Sequence, residues 1–413
     1  MRTDTDIAAQ VMQRIDALAM ISDEPGRLTR TYGSPAMRRA NDLVAGWMRD
    51  AGMTIEVDPI GNLIGRYAGD PTATKTFLLG SHLDTVRDAG KFDGVLGVLV
   101  ALACIQHLHE TGRRLPFALD LAGFADEEGA RFQSTYLGSR VLAGTFDHGD
   151  LKRTDASGLT LREAILRFGG DPEALHGARL TPEQMLGYAE VHIEQGPVLQ
   201  EMDLPVGVVT AIAGQTRIAA AFDGRAAHAG TTPMASRRDA LLAAGRLARD
   251  VETIVARQPG LLATVGQIEV PSGASNVVPG RARLTLDVRH AEDDARKAAC
   301  ELIETTAHYV ASHRRVGLEW NIVQSEPAVR SAAELTGLLK KAAAKHAREV
   351  LELPSGAGHD AAALAAIMPM AMLFVRCKDG ISHHPDESVA EDDVLVATRV
   401  LGRFLELLAK KHA

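Results

Sequence analysis

Histidines and carboxylates recur in this chain in five short segments, each beside an apolar run. The first is Gly80-Ser81-His82-Leu83-Asp84-Thr85. His82 and Asp84 are two apart, so in extended chain both side chains point to one side. A metal-ligating imidazole gives its second N–H to an acceptor that fixes its tautomer, and Asp84 is placed to be that acceptor. By itself the pair reads as an ordinary loop. The second segment, Gly90-Lys91-Phe92-Asp93-Gly94, precedes an apolar helical pattern. Asp93 stands where a helix N-cap belongs, yet the two glycines also allow a tight loop that turns its carboxylate inward. The third, Phe124-Ala125-Asp126-Glu127-Glu128-Gly129, sets three carboxylates side by side with no basic run nearby. They need solvent or cations; with cations, one Glu binds metal and the other stays free as a general base. The fourth, Glu190-Val191-His192-Ile193-Glu194-Gln195-Gly196, holds His192, and a lone histidine there is commonly structural. The fifth, Gly380-Ile381-Ser382-His383-His384-Pro385-Asp386-Glu387, offers two adjacent histidines, one of them a bystander.

The conjunction says more than any member. His82, Asp93, Glu127, Glu128, His192 and His383 all fall at expected strand ends. Two histidines with a shared carboxylate on one side, and the rest on the other, suffice for two divalent ions about 3.5 Å apart. Cys104, Cys300 and Cys377 are far apart and form no CxxC pair, so neither a thiolate site nor a disulfide framework is expected. A carboxylate–imidazole set suits Zn2+, Mn2+, Co2+ or Ni2+.

These residues need elements to position them. An amphipathic helix is expected over 5–20, and Ser34-Pro35 reads as an N-cap with Pro at the first helical position, opening a helix to about Ala51. Thr54–Asp58 and Leu63–Tyr67 read as a hairpin. Thr76–Ser81, Phe117–Ala125 and Tyr188–Ile193 read as strands buried on both faces, with a helix over Gly94–His109. Alternating strands and helices predict an α/β layer structure. From Val206 the style changes. Val206–Phe222, Leu262–Val270, Ala282–Arg289 and Gly317–Val323 read as strands, and Asp239–Arg257 and Asp293–Ser312 as helices. That β-α-β-β-α-β order is a split βαβ domain. Then helices at 332–347, from Asp360 and at 391–411, with a strand at Met370–Val375, return to the first style. The expected organisation is an α/β domain over 1–210 and 325–413, interrupted by a domain over 211–324.

Composition excludes several classes. A length of 413 residues predicts two or three domains. A net charge of −8 argues against general nucleic-acid binding, which needs a basic face. Hydrophobic residues at 46% and charged residues at 24% exclude disorder and coiled coil as the main architecture. The start, MRTDTDIAAQVMQRID, has no apolar stretch of signal-peptide type, and the longest apolar run, Ala361–Val375, is short for a membrane span and contains Pro369. A cytoplasmic protein without membrane contact is expected.

The segments resemble the dinuclear metallohydrolases of the M20 peptidase-like group. Within it the chain is similar to the hydantoinase/carbamoylase amidohydrolase branch that cleaves ureido groups, comprising allantoate amidohydrolases, N-carbamoyl-L-amino-acid hydrolases and β-ureidopropionases. GSHLDT, GKFDGVLGV, FADEEGARF, HIEQGPVL, GRAAHAGTTPM, SGASNVVPG, SGAGHDA and GISHHPDE carry the likeness over nearly the whole chain. The resemblance implies a mixed-sheet catalytic domain with an inserted lid and dimerisation domain, and so a homodimer. It implies that Asp93 bridges two metals, that His82 and His192 complete one, and that Glu128 and His383 complete the other. Asp84 would orient His82, and Glu127 would be the general base. His228, in the GRAAHAG segment, would stabilise the oxyanion in the active site of its own or the partner subunit. Asn276 and Arg289 would hold a substrate carboxylate, for which an Arg fork is suited.

Where this branch usually has Ser or Asn after the ligating histidine, this chain has His384, a candidate for contact with substrate or an outer water. Gly214–Arg217, Leu353–Asp360 and Phe374–Cys377 look most like allantoate amidohydrolases. Gln215 can both donate to and accept from an uncleaved ureido group. The small-molecule substrate implied is therefore allantoate, with an N-carbamoyl amino acid as the alternative. A non-catalytic binding protein of this fold is the alternative of another class, and it would need no free Glu127 beside a metal cage.

Overall fold

The computed structural model describes residues 4–413. The chain forms two units, one of Met1–Thr210, Ser331–Leu353 and Ala357–Ala413, the other of Ala211–Arg330 with Pro354–Gly356.

In chain order the strands are β1 (Thr54–Val57), β2 (Leu63–Tyr67), β3 (Thr76–His82), β4 (Ala118–Phe124), β5 (Met185–Ile193), β6 (Val206–Ile212), β7 (Gly214–Asp223), β8 (Ala227–His228), β9 (Leu262–Glu269), β10 (Val277–Val278), β11 (Arg281–His290), β12 (Gly317–Glu326), β13 (Val329–Arg330), β14 (Leu351–Ser355) and β15 (Met370–Val375). Within the first unit the large sheet runs β1-β2-β4-β3-β5-β15-β6, and β14 also pairs with β6. Its centre, β4-β3-β5-β15, is parallel throughout. Every residue of β3, β4 and β15 is buried, the pattern of strands covered on both faces.

Helix Val95–Glu110 covers one of those faces. It is apolar nearly all round, and Val95, Leu96, Val98, Leu99, Val100, Leu102 and Ile105 are fully buried in the core of the first unit. Burial of each such side chain contributes roughly 1.5–3 kcal/mol. Gly97 lets this helix lie against β5, because a Cβ there would stand 2.0 Å from the Val191 carbonyl oxygen. Helices Asp4–Ala19 and Glu391–His412 pack against it from outside. Helix Pro35–Asp50 begins as Ser34-Pro35 dictates: the Ser34 hydroxyl accepts the Met37 N–H at 3.1 Å, and Pro fills the first turn.

The second unit's sheet has the order β12-β7-β11-β9, antiparallel throughout. Helices Ala240–Val255 and Asp293–Arg314 cover one face, where Ile218, Phe222, Leu247, Leu284, Leu286 and Ile303 form the core. Along β11 buried and more exposed residues alternate, so the other face is polar and open.

Sequence and structure differ in places. The run Val206–Phe222 is two strands, β6 and β7, broken at Ala213, whose N–H leaves the ladder to donate to the Ser355 carbonyl. Helices Leu137–Ala143 and Leu161–Arg167 and strand β14 are not among the expected elements, although Leu161–Arg167 carries its own signal, a Thr160–Glu163 capping box followed by Leu161, Ala164 and Ile165 on one buried side. Among the described residues, no helix is long and apolar enough to cross a membrane.

Candidate metal centre

The four central parallel strands deliver their carboxyl ends side by side. His82 ends β3, Glu127 and Glu128 follow β4, His192 is the penultimate residue of β5, and His383 lies in the loop after β15. Ligand sites gather at such strand ends in open α/β sheets. Asp93 enters from the loop between β3 and helix Val95–Glu110.

Asp93 is not the cap of that helix. Gly94 occupies the N-cap position and no side chain caps it. Gly94 is required twice over: its φ of 66° suits glycine, and a Cβ there would stand 2.5 Å from ring atoms of His82. The loop therefore passes over the His82 ring and turns the Asp93 carboxylate into the cluster.

The two oxygens of Asp93 face different imidazoles. Oδ1 lies 3.1 Å from His192 Nε2 and 3.6 Å from His82 Nε2; Oδ2 lies 3.2 Å from His383 Nε2. His383 Nε2 is also 3.5 Å from Glu128 Oε1. The donor atoms of His82, Asp93 and His192 lie within 4.8 Å of one another, as do those of His82, Glu127 and Glu128, and those of Asp93, Glu128 and His383.

The outer nitrogens decide the tautomers. His82 Nδ1 is 3.0 Å from the backbone carbonyl of Asp84, and His192 Nδ1 is 2.9 Å from that of Ile193. A carbonyl only accepts, so Nδ1 carries a proton, and Nε2 is the nitrogen left to give its lone pair to a cation. The sequence points to the Asp84 carboxylate as the group orienting His82. It stands at 3.7 Å, beyond hydrogen-bond range, and the carbonyl of the same residue does the orienting. The Asp84 carboxylate instead accepts the backbone N–H groups of Glu127 and Glu128.

Burial drives the Glu127 carboxyl well above the ordinary range; His82 opposes this and Glu128 adds to it. Burial and Asp93 together push Glu128 up to about 7. Burial also opposes ionisation of Asp93, but the three imidazoles outweigh it and hold that carboxyl well below the ordinary range. Among the described residues, no lysine or arginine forms an ion pair with Asp93, Glu127 or Glu128. Buried carboxyl oxygens beside three imidazole Nε2 atoms form a donor set that fits divalent cations of the Zn2+ or Mn2+ type, whose binding would displace the protons these groups hold.

His384 turns away from this cluster. Its Nδ1 accepts the Asp386 N–H at 3.2 Å, and the side chain is 59% exposed. A buried ring to which the sequence assigns no role, His359, lies 4.4 Å from the His192 ring, centroid to centroid. Gln195, equally unassigned from sequence, donates from Nε2 to Asp93 Oδ2 at 2.9 Å. Its position three residues after His192 is the signal that could have found it.

The second unit brings the other four candidates together in two pairs. Gln215 and Arg289 are register partners across β7 and β11. Both converge on Asp287, a residue that sequence reasoning misses. Arg289 holds it by Nε–Oδ1 at 2.8 Å and Nη2–Oδ2 at 3.0 Å, and Gln215 Nε2 donates to Oδ2. Arg289 Nη1 also donates to the Gly356 carbonyl at 2.7 Å. Residues 287 and 289 share the open face by period 2, the signal that could have found Asp287. His228 pairs with Val277 across β8 and β10, and the Ala229 N–H donates to the Asn276 carbonyl at 2.8 Å. His228 Nδ1 accepts the Gly230 N–H, so the neutral ring carries its proton on Nε2.

Parallel strand ends that converge imidazoles on a shared carboxylate, beside a second glutamate, define a metal-dependent hydrolase of the α/β class. The chain belongs to peptidase family M20/M25/M40, whose profile matches residues 78–407. It is similar to the allantoate deiminase of Arabidopsis thaliana, 39% identical in an alignment 428 positions long that covers 96% of this chain and 82% of the relative. It is equally similar to the N-carbamoyl-L-amino acid amidohydrolase of Geobacillus stearothermophilus, 39% identical over 402 residues that cover 97% and 98%. Among solved structures, an amidase of the hydantoinase/carbamoylase family from Burkholderia multivorans superposes with a TM-score of 0.90 at 31% identity, covering 96% of this chain and 97% of the other.

Proposed function

We propose that this protein hydrolyses a ureido group of a small carboxylate, and that the substrate is allantoate, yielding ureidoglycine, ammonia and carbon dioxide. The observation that carries the reading is the division of the Asp93 carboxylate: one oxygen faces His82 and His192, the other His383. On this reading Asp93 would be shared by two divalent ions, Mn2+ or Zn2+, with His82 and His192 helping to hold one and Glu128 and His383 the other. When bound, such a pair supplies Lewis acidity and lowers the pKa of a water.

The chain's own groups do the rest. Glu127, left without a ligand role, takes the proton of the attacking water and returns it to the leaving nitrogen. The His228 Nε2–H donates to the developing oxyanion, where a fixed donor is worth most. Asn276 and Arg289 hold the carboxylate, with Asp287 fixing the plane of the guanidinium. Ammonia leaves first, and the carbamate then loses carbon dioxide.

Sequence identity does not separate allantoate from an N-carbamoyl-L-amino acid, since relatives named for each are 39% identical to this chain. Gln215 favours allantoate, because a primary amide on the open sheet face beside Arg289 matches a second, uncleaved ureido group. We read the second unit as the lid and dimerisation domain of a homodimer. Leu262, Ile268, Ile322 and Val323, exposed on its edge strands, support that. Cys104, Cys300 and Cys377 are all free, which supports a cytoplasmic, reducing compartment.

The test is an ammonia-release screen of metal-free protein supplied in turn with Mn2+, Zn2+ and Co2+. The substrates are allantoate, N-carbamoyl amino acids, N-carbamoyl-β-alanine and a dipeptide. Release from allantoate above the rest is the expected result. Preference for an N-carbamoyl amino acid transfers the assignment to that substrate, and metal retention without any turnover supports a binding protein.

A further inference from the structure

Glu387 is a buried carboxylate with no part in the chemistry above, only 3% exposed. Its Oε1 accepts the backbone N–H of Phe92 at 2.7 Å and that of Asp93 at 3.1 Å. Its Oε2 lies 3.1 Å from the Ser382 hydroxyl. The same hydroxyl lies 3.0 Å from Asp93 Oδ2 and accepts from Gln195 Nε2 at 3.0 Å. One side chain thus grips both the peptide that carries Asp93 and the loop that carries His383, segments almost three hundred residues apart in the chain.

Gly90 records how tight the grip is. A Cβ there would stand 2.3 Å from Glu387 Cβ and 2.4 Å from Oε1. The 90–93 loop therefore lies flush along the Glu387 side chain, and glycine at 90 is a matter of space. Two glycines flank the turn for separate reasons: Gly94 clears the His82 ring, and Gly90 clears Glu387.

We propose that Glu387 is a positioning residue that clamps the Asp93 peptide to the Ser382-His383 loop and so holds the two halves of the metal cage in register. The proposal rests on the reading of Asp93 as the shared ligand. What the clamp needs is an acceptor at Oε1, since both backbone donors point there; the net charge of Glu387 is secondary. A carboxamide oxygen at the same place accepts the same two N–H groups. An apolar side chain of similar size leaves two buried donors unmatched and releases the loop.

The experiment measures Mn2+ binding by metal-free protein in competition with a chelating dye, for wild type, Glu387→Gln and Glu387→Leu. Wild type is expected to bind two ions per chain; if it binds none, the metal reading itself fails and the clamp with it. Glu387→Gln is expected to stay within about threefold of wild type, and Glu387→Leu to weaken by about 10–100-fold, the usual cost of losing an outer partner of a ligand. Wild-type affinity in Glu387→Leu, or equal loss in both variants, overturns the clamp while leaving the metal site standing. Should Glu387→Leu not fold, Ser382→Ala removes the clamp's other end with one hydroxyl. Weakened Mn2+ binding is then expected, and unchanged affinity overturns the proposal.

Discussion

Asp84 accepts the backbone N–H of Glu127 on Oδ1 and that of Glu128 on Oδ2, each at 3.2 Å. A buried carboxylate at the end of β3 thereby fixes the peptide planes from which both glutamates project. Its backbone carbonyl separately sets the His82 ring. In Asp84→Asn the carbonyl contact survives, but an amide NH2 replaces one acceptor and faces an N–H. Mn2+ content of the purified variant is expected to stay near that of wild type, while ammonia release falls by about 10–100-fold. Undiminished turnover would mean that these two bonds do not aim Glu127.

The shared carboxylate predicts an uneven pattern of metal loss. Asp93→Ala is expected to lose both ions, His383→Ala one, and Glu127→Gln none. Elemental analysis of the purified variants, counted per chain, checks this. Glu127→Gln should also lose turnover by about 10²–10⁴-fold, the range for removal of a general base. Activity surviving in that variant would move the base elsewhere.

Arg289 is expected to act through binding. Lysine offers a point charge in place of a planar fork and cannot reproduce the two-pronged contact with Asp287 or with a carboxylate. For Arg289→Lys, KM for allantoate should rise roughly tenfold or more, in keeping with a charge-assisted bond of about 1.5–3 kcal/mol. The change in kcat should be smaller. Steady-state kinetics decide; a fall in kcat at constant KM would remove Arg289 from the carboxylate contact.

Asp120 makes stability depend on pH. It lies buried on β4, Oδ1 has no hydrogen-bond partner, and Oδ2 is 3.4 Å from Arg66 Nη1. Burial raises its carboxyl to about 6, with Arg66 opposing and Glu56 adding to the rise. The folded protein therefore holds this proton more tightly than the unfolded chain does. The stability it contributes is full below about pH 4 and lost as pH rises through about 6, by roughly 1.36 kcal/mol for every tenfold difference in proton affinity between the folded and unfolded chain. Asp120→Asn removes the buried charge. Its unfolding free energy relative to wild type should rise by about 1–3 kcal/mol between pH 4 and pH 7, followed by denaturant titration. A flat difference across that range would show that Asp120 is not the group responsible.

The donor types and their strand-end positions are legible in the sequence because chemistry demands particular residues and buried strands advertise themselves as short apolar runs. His82, His192 and the Glu127–Glu128 pair each follow such a run directly. Asp93 is harder, since an aspartate before an apolar helix looks like a cap until Gly94 is seen to take that place. Residue type does not separate His383 from His384, and only the likeness of the Gly-Ile-Ser-His segment picks His383 from sequence. The loop decides, turning His383 to Asp93 and leaving His384 with Asp386.

What local sequence determines is what is encoded within a few residues: helix period, the cap at Ser34, the buried strands and the list of side chains able to bind metal or move a proton. The order β4-β3-β5-β15 is set by packing between segments far apart in the chain, and it alone makes neighbours of their ends. The partners Glu387–Asp93, Asp84–Glu127 and Asp287–Gln215 belong to that second category. A hydrogen bond is decided over about 3 Å in space, and nothing in the one-dimensional spacing of 93 and 387 records that closeness.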